Sequence, residues 1–112
     1  LVHTTPMLGP LTQALIDSVC PAPQRAAVAN LLSQRCAGNL PGVGTTPDWQ
    51  ALIDRVQLAT LRGSDWDLSR ITRAVELANT DWRDVLMGAG FGHSLRTHVQ
   101  WQADALLSGD IS

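Results

Sequence analysis

The stretch Thr80–Gly92, TDWRDVLMGAGFG, decides how the rest of the chain is read. Thr80 offers a hydroxyl to a free backbone N–H of a first helical turn, the work of an N-cap. Asp81 and Asp84 put negative charge near the positive end of the helix dipole. Trp82, Val85, Leu86 and Ala89 recur at i, i+3, i+4 and i+7, one face of a helix. Gly88, Gly90 and Gly92 then close it, because glycine enters left-handed conformations without a Cβ clash. Phe91, the only Phe of the chain, sits among those glycines and is expected to plug the core beside the helix end. The stretch therefore reads as a core helix with a tight exit, Trp82 facing inward. Arg83 lies about 100° round the helix and should face outward. With Asp81 and Asp84 it forms a candidate recognition patch.

Working upstream, Leu68, Ile71, Val75 and Ala78 predict a helix over Asp65–Ala78, with Ser64 as N-cap, Asp67 at N3 and Asn79 at its end. Trp49, Leu52, Ile53 and Val56 predict another, opened by Thr46-Pro47-Asp48 and closed by Gly63. Between them and the amino-terminal half runs a loop, Asn39–Thr46, whose Gly-x-Gly reads as a plain connector because no strand precedes it. Pro23 opens a helix with Val28, Leu31 and Leu32 inward and Gly38 and Asn39 at its end. Gly9-Pro10 opens the first, with Leu11, Leu15, Ile16 and Val19 inward, and Pro21 stops it. Downstream, Ser94 caps a last helix whose inner face is Leu95, Val99 or His98, Gln102 and Leu106. Residues 1–8 read as a loose arm, 9–107 as one helical domain, and 108–112 as a frayed tail. The fold class that follows is all-α, a single domain of five or six short helices in orthogonal or bundle-like packing.

The TDWRDVLMGAGFG stretch resembles a D-W-R-D-x-L-x-x-A-G-F segment of small uncharacterised bacterial helical proteins. WQALIDRVQLATL and LSRITRAVELA are similar to their preceding helices, so the likeness runs over about Leu31–Gly92. The resemblance implies a bacterial source. It carries no activity and assigns no site residue.

Composition narrows the chemistry. The chain has 112 residues, enough for one core that buries about two thirds of the unfolded surface. Hydrophobic residues make up 45% and charged ones 16%, the balance of a folded chain. All 8 basic residues are Arg, and Tyr is absent. Without Lys there is no P-loop lysine and no Schiff base, and a catalytic tyrosine is excluded with them. A net charge of −2 supplies no basic footprint for nucleic acid. No apolar run reaches the roughly 18 residues of a membrane span. The opening LVHTTPMLGP lacks the basic-then-apolar order of a signal peptide; a pair of free cysteines fits a cytoplasmic protein.

Cys20 and Cys36 flank the second helix, whose ends lie on the order of 20 Å apart. A disulfide needs Cα atoms within about 7 Å, so both are expected as free thiols. His93 and His98, at i and i+5, diverge by about 140° and cannot pair as zinc ligands on one face. No metal and no cofactor is assigned. The helices on either side of Asn79–Thr80 suggest a helix-turn-helix, but Asp81 and Asp84 at the reading end would repel phosphate. Two readings remain. The first is a module that binds another protein or a second copy of itself, with Arg83, Trp66 and Trp101 as candidate contacts, since Trp anchors interfaces. The second is a small enzyme with a pocket near Gly88–His93.

Overall fold

The computed structural model describes residues 7–112, so most of the arm expected over residues 1–8 lies outside the described residues. Among the described residues there are five α-helices and no strand: α1 (Pro10–Val19), α2 (Arg25–Arg35), α3 (Trp49–Leu61), α4 (Leu68–Gly88) and α5 (Thr97–Ser108). Short 3-10 turns precede α2 and α3, at Ala22–Gln24 and Val43–Thr45. The globule is 22 Å thick in its shortest direction, about two helix diameters.

The helix at the centre is α3, which packs against α1, α4 and α5. Its second half is buried on every side: Ile53, Val56, Leu58 and Leu61 are all fully enclosed. A helix apolar all round belongs in a core. Yet Asp54, Gln57 and Thr60 are buried there as well, and each has a partner. The need arises in α1. It opens with Gly9 and Pro10, so its first-turn amides have no side-chain cap of their own. Asp54 supplies one from α3. Its carboxylate accepts from Leu11 N at 3.0 Å, Thr12 N at 2.9 Å and Thr12 Oγ1 at 2.6 Å. One turn on, Gln57 accepts from Gly9 N at 2.9 Å and donates to Met7 O and to Cys36 O at the end of α2. A Cβ at position 9 would overlap the Asp54 side chain, so only glycine lets α1 come this close.

Helix α4 starts later than the sequence suggests. Asp67, not Ser64, is its N-cap, accepting from Ser69 N at 2.9 Å and Arg70 N at 3.2 Å. The Arg70 and Ser69 donors hold the Asp67 carboxyl below its ordinary range. Ser64 closes a turn instead, donating to Leu61 O and accepting from Trp66 N. Through that turn Asp65 and Trp66 both take left-handed backbone, at φ 54° and 58°. The break expected at Asn79–Thr80 is present one residue on: Leu68–Gly88 is two helices joined across a kink at Asp81, which alone is non-helical at φ −156° and ψ 95°. Asp81 caps the second half through Arg83 N at 3.1 Å, whereas Thr80 Oγ1 turns back to Glu76 O.

The exit from α4 is a paired-bond cap. Phe91 N donates to Leu86 O and Gly90 N to Met87 O, with Gly90 left-handed at φ 80°. Of the three glycines in the exit, Gly90 alone needs that freedom. Phe91 is fully buried beside it. The tail folds back onto the globule. Gly109 turns the chain at φ 75°, Ile111 is buried, and Gly63 N donates to Ile111 O at 2.6 Å.

Candidate functional site

The sequence candidates do not form one surface. Trp66 is 6% exposed, in the turn before α4, and its carbonyl accepts from Gln24 Nε2 at 2.7 Å. It is a core residue, not an interface anchor. Trp101 is half-buried between Phe91, 5.6 Å away, and the tail, where its Nε1 donates to Ser112 O. The Arg62 guanidinium covers the Phe91 and Trp101 rings at 5.4 and 5.9 Å. Arg83 is exposed, as its helical position dictates, and its guanidinium stacks 4.3 Å above the Trp82 ring. That ring is buried and pinned through Nε1 to Pro41 O at 2.9 Å. The segment weighed as a helix-turn-helix, Leu68–Gly88, joins its two helices through the single residue Asp81, without the three- or four-residue turn of that motif.

Two neighbouring features do stand out. The first is α5, which keeps an apolar stripe outside. Of the face expected inside, Leu95, Val99 or His98, Gln102 and Leu106, only His98 and Gln102 are buried. Leu95 is instead 75% exposed, Val99 43% and Leu106 38%. His98, Gln102 and Ala105 point inward. The helix begins at Thr97, and Gln102 Nε2 donates to Leu11 O at 3.1 Å, which sets its rotation against α1. Val99, Ala103 and Leu106 thus form an outward stripe at i, i+4 and i+7, with Leu107 beside it at 88% exposure.

The second feature is a ridge formed by Thr46, Leu52 and Arg55, with a hollow on either side. One hollow, about 340 Å³, is walled by Pro47, Ala51, Leu95 and His98. The other, about 480 Å³, is walled by Trp82, Arg83, Leu86, Met87 and Gly92. It borders the Gly88–His93 loop that the sequence pointed to. Arg55 donates through Nη2 to the Phe91 and Ser94 carbonyls, while its buried Nε has no partner among the described residues. Burial pushes its pKa down. His98 is 8% exposed, and its Nδ1 likewise lacks a partner among the described residues. Burial first, and the Arg55 charge second, hold it below the ordinary histidine value, against an opposing pull from Asp54.

Comparison with known proteins adds no relative. No protein-family model, curated protein or solved structure matches the chain. Function must therefore be argued from the residues themselves.

The thiols are not nucleophiles in waiting. Cys20 and Cys36 are both free and buried, and burial pushes the Cys36 thiol up to about 12. Cys20 is raised by burial too, with Arg25 opposing. Among the described residues no group of three or more His, Cys, Asp or Glu is placed to hold a metal. No helix there is long and apolar enough to cross a membrane. The pairing of Arg55 with His98 escaped the sequence reading because they lie 43 positions apart on different helices. Only the tertiary fold brings them to one hollow.

Proposed function

We propose that the protein is an interaction module whose contact surface is the outer face of α5, and that self-association is its first mode of use. The observation that carries the reading is a second apolar stripe on the outer side of that helix. A helix docked on its own globule normally turns its apolar stripe inward. Here α5 is held by Trp101 and Ala105 together with the polar His98 and Gln102, while Val99, Leu106 and Leu107 stay exposed. An apolar stripe on an oriented helix matches the self-complementary face of a two-fold dimer, where each residue meets its own copy or a near neighbour. Trp66 drops out of the contact set because it is buried, and Arg83 remains as a charged flank on another face.

Light scattering after size exclusion, run over a concentration series, tests this. A mass that rises toward a dimer in the native chain, and stays monomeric in Val99→Glu and Leu106→Glu with unchanged melting, supports the reading. A monomer at every concentration removes self-association. The enzyme alternative rests on the hollow beside Gly92 and has no nucleophile or acid–base pair there to recommend it.

A further inference from the structure

The larger hollow, on the α4 side of the Thr46, Leu52 and Arg55 ridge, joins an oriented cation to apolar walls. Its volume, about 480 Å³, falls within the range of small-molecule sites. The apolar walls come from Leu52, Trp82, Leu86 and Met87. At Gly92 a Cβ would meet the Met87 sulfur, so glycine lets that side chain lie along the wall. Two arginines, Arg55 and Arg83, reach the lining, and no acidic residue does; Thr46 adds a hydroxyl. The arginines are not equivalent. Arg55 commits Nη2 to the carbonyls of Phe91 and Ser94, and its Nε is enclosed. Arg83 is exposed, its guanidinium 4.3 Å from the centre of the Trp82 ring. That ring is buried and held through Nε1 to Pro41 O at 2.9 Å, so it is a fixed platform. A guanidinium held over a ring by cation–π attraction keeps the N–H donors around its edge open.

We propose that this hollow binds a small aromatic carboxylic acid, its carboxylate on the edge of Arg83 and its ring against Leu86 and Met87. A planar carboxylate matches the two parallel donors of a guanidinium edge. The Met87 thioether makes favourable contacts with aromatic rings and adapts to their shape. Asp81 and Asp84 adjoin Arg83 along the chain, and Asp84 lines a different hollow. One open cation with those acids nearby favours a monoanion over a phosphate dianion. No residue of α5 lines this hollow, so the proposal stands apart from the self-association reading.

The test uses the full chain and sodium 3-phenylpropionate as the probe. In a proton–nitrogen correlation spectrum, titration should move the Trp82 indole signal and the Met87 and Gly92 amides together and saturably. 3-Phenylpropanamide, which keeps the ring and loses the charge, should bind at least about tenfold more weakly. Arg83→Met keeps a long side chain over Trp82 without the charge. It should weaken binding by a similar factor while melting near the native temperature. Arg83→Lys keeps the charge and loses the fork, so it should fall between the two. Met87→Glu, at an exposed position, places a carboxylate in the hollow and should abolish the shifts. Absence of a saturable shift by about 5 mM would overturn the proposal, as would an equal response to the amide. Native affinity in Arg83→Met would overturn it too. Inorganic phosphate moving the same signals at lower concentration would reassign the hollow to a dianion. A phenylalanine-terminated peptide that binds where the free acid does not would reassign it to a protein chain end. A chain that stays monomeric can pass every one of these tests, so the α5 reading can fail without this one.

Discussion

Helices α3 and α5 both turn polar side chains toward the interior, and they do so to opposite effect. On α3, Asp54 and Gln57 meet backbone groups of Gly9, Leu11, Thr12 and Cys36, and both side chains are matched. On α5, Gln102 finds Leu11, but His98 keeps an unpaired Nδ1, as Arg55 of α3 keeps an unpaired Nε, among the described residues. A saturated polar network specifies a structure. An unsaturated one carries a desolvation cost of about 1–3 kcal/mol for each unpaired group. The contrast runs along α3 itself, between the matched Asp54 and Gln57 and the unmatched Arg55.

The most severe way to break the contrast is at Asp54. Asp54→Ala strips the cap from α1 and strands the amides of Leu11 and Thr12. Charge-assisted bonds count for about 1.5–3 kcal/mol each, so a loss of at least ~3 kcal/mol is expected, against a typical total of about 5–15. Urea denaturation should find the variant largely unfolded or close to it. A midpoint near that of the native chain would show that solvent replaces the cap.

Trp82→Ala comes next. The ring is 6% exposed and bonded to Pro41 O, so truncation should cost about 3–5 kcal/mol. Arg83→Ala, one residue on and in solvent, should cost about 0–1 kcal/mol, its stacking on Trp82 included. Thermal melts of the pair sharpen the inside–outside assignment. Equal losses would place Arg83 among the structural residues.

A smaller effect is set by pH. The folded chain holds His98 below its ordinary value of 6.5, so the folded state takes up that proton less readily than the unfolded state. The His98 contribution is therefore flat above that pH and turns destabilising as pH falls through it, levelling off below the folded-state value. The charged groups acting on it are Arg55, which reinforces the effect, and Asp54, which opposes it. Chemical denaturation at about pH 7.5 and about pH 5 should show a drop that His98→Gln reduces. An identical drop in both proteins would assign the acid sensitivity elsewhere.

The smallest change in stability is expected on the outer face of α5. Val99→Glu should shift stability by no more than about 0.5 kcal/mol, because the side chain already faces water. A large loss in a dilute sample would mean that Val99 is packed within its own chain.

Much of this architecture was legible in the sequence. The stripes through Trp49–Val56, Leu68–Ala78 and Trp82–Ala89 are local, and so is the Gly90-Phe91 exit; each became a helix or a cap where the pattern placed it. The errors arose where neighbouring caps compete and where long-range partners decide. Ser64 and Thr80 are good caps by residue type, but their hydroxyls bond back to Leu61 and Glu76, and Asp67 and Asp81 do the capping. Trp66 fits no helical stripe and so reads as a contact candidate; a left-handed turn carries it into the core. The rotation of α5 could not be read locally, since Gln102 is fixed by a carbonyl 91 residues away. The hollow at Arg55 and His98 is invisible for the same reason.

The cap that Asp54 lends to α1 also governs how the molecule opens. A helix of 10 residues with no side-chain cap of its own is marginal in isolation. Helix α1 is therefore a conditional helix, present only while α3 lies against it. Hydrogen exchange at Leu11 and Thr12 should then report the separation of two helices rather than the fraying of one end. A helix start, ordinarily among the first sites to exchange, should be among the slow ones here. Those two amides become a gauge of whether the halves of the core are still joined.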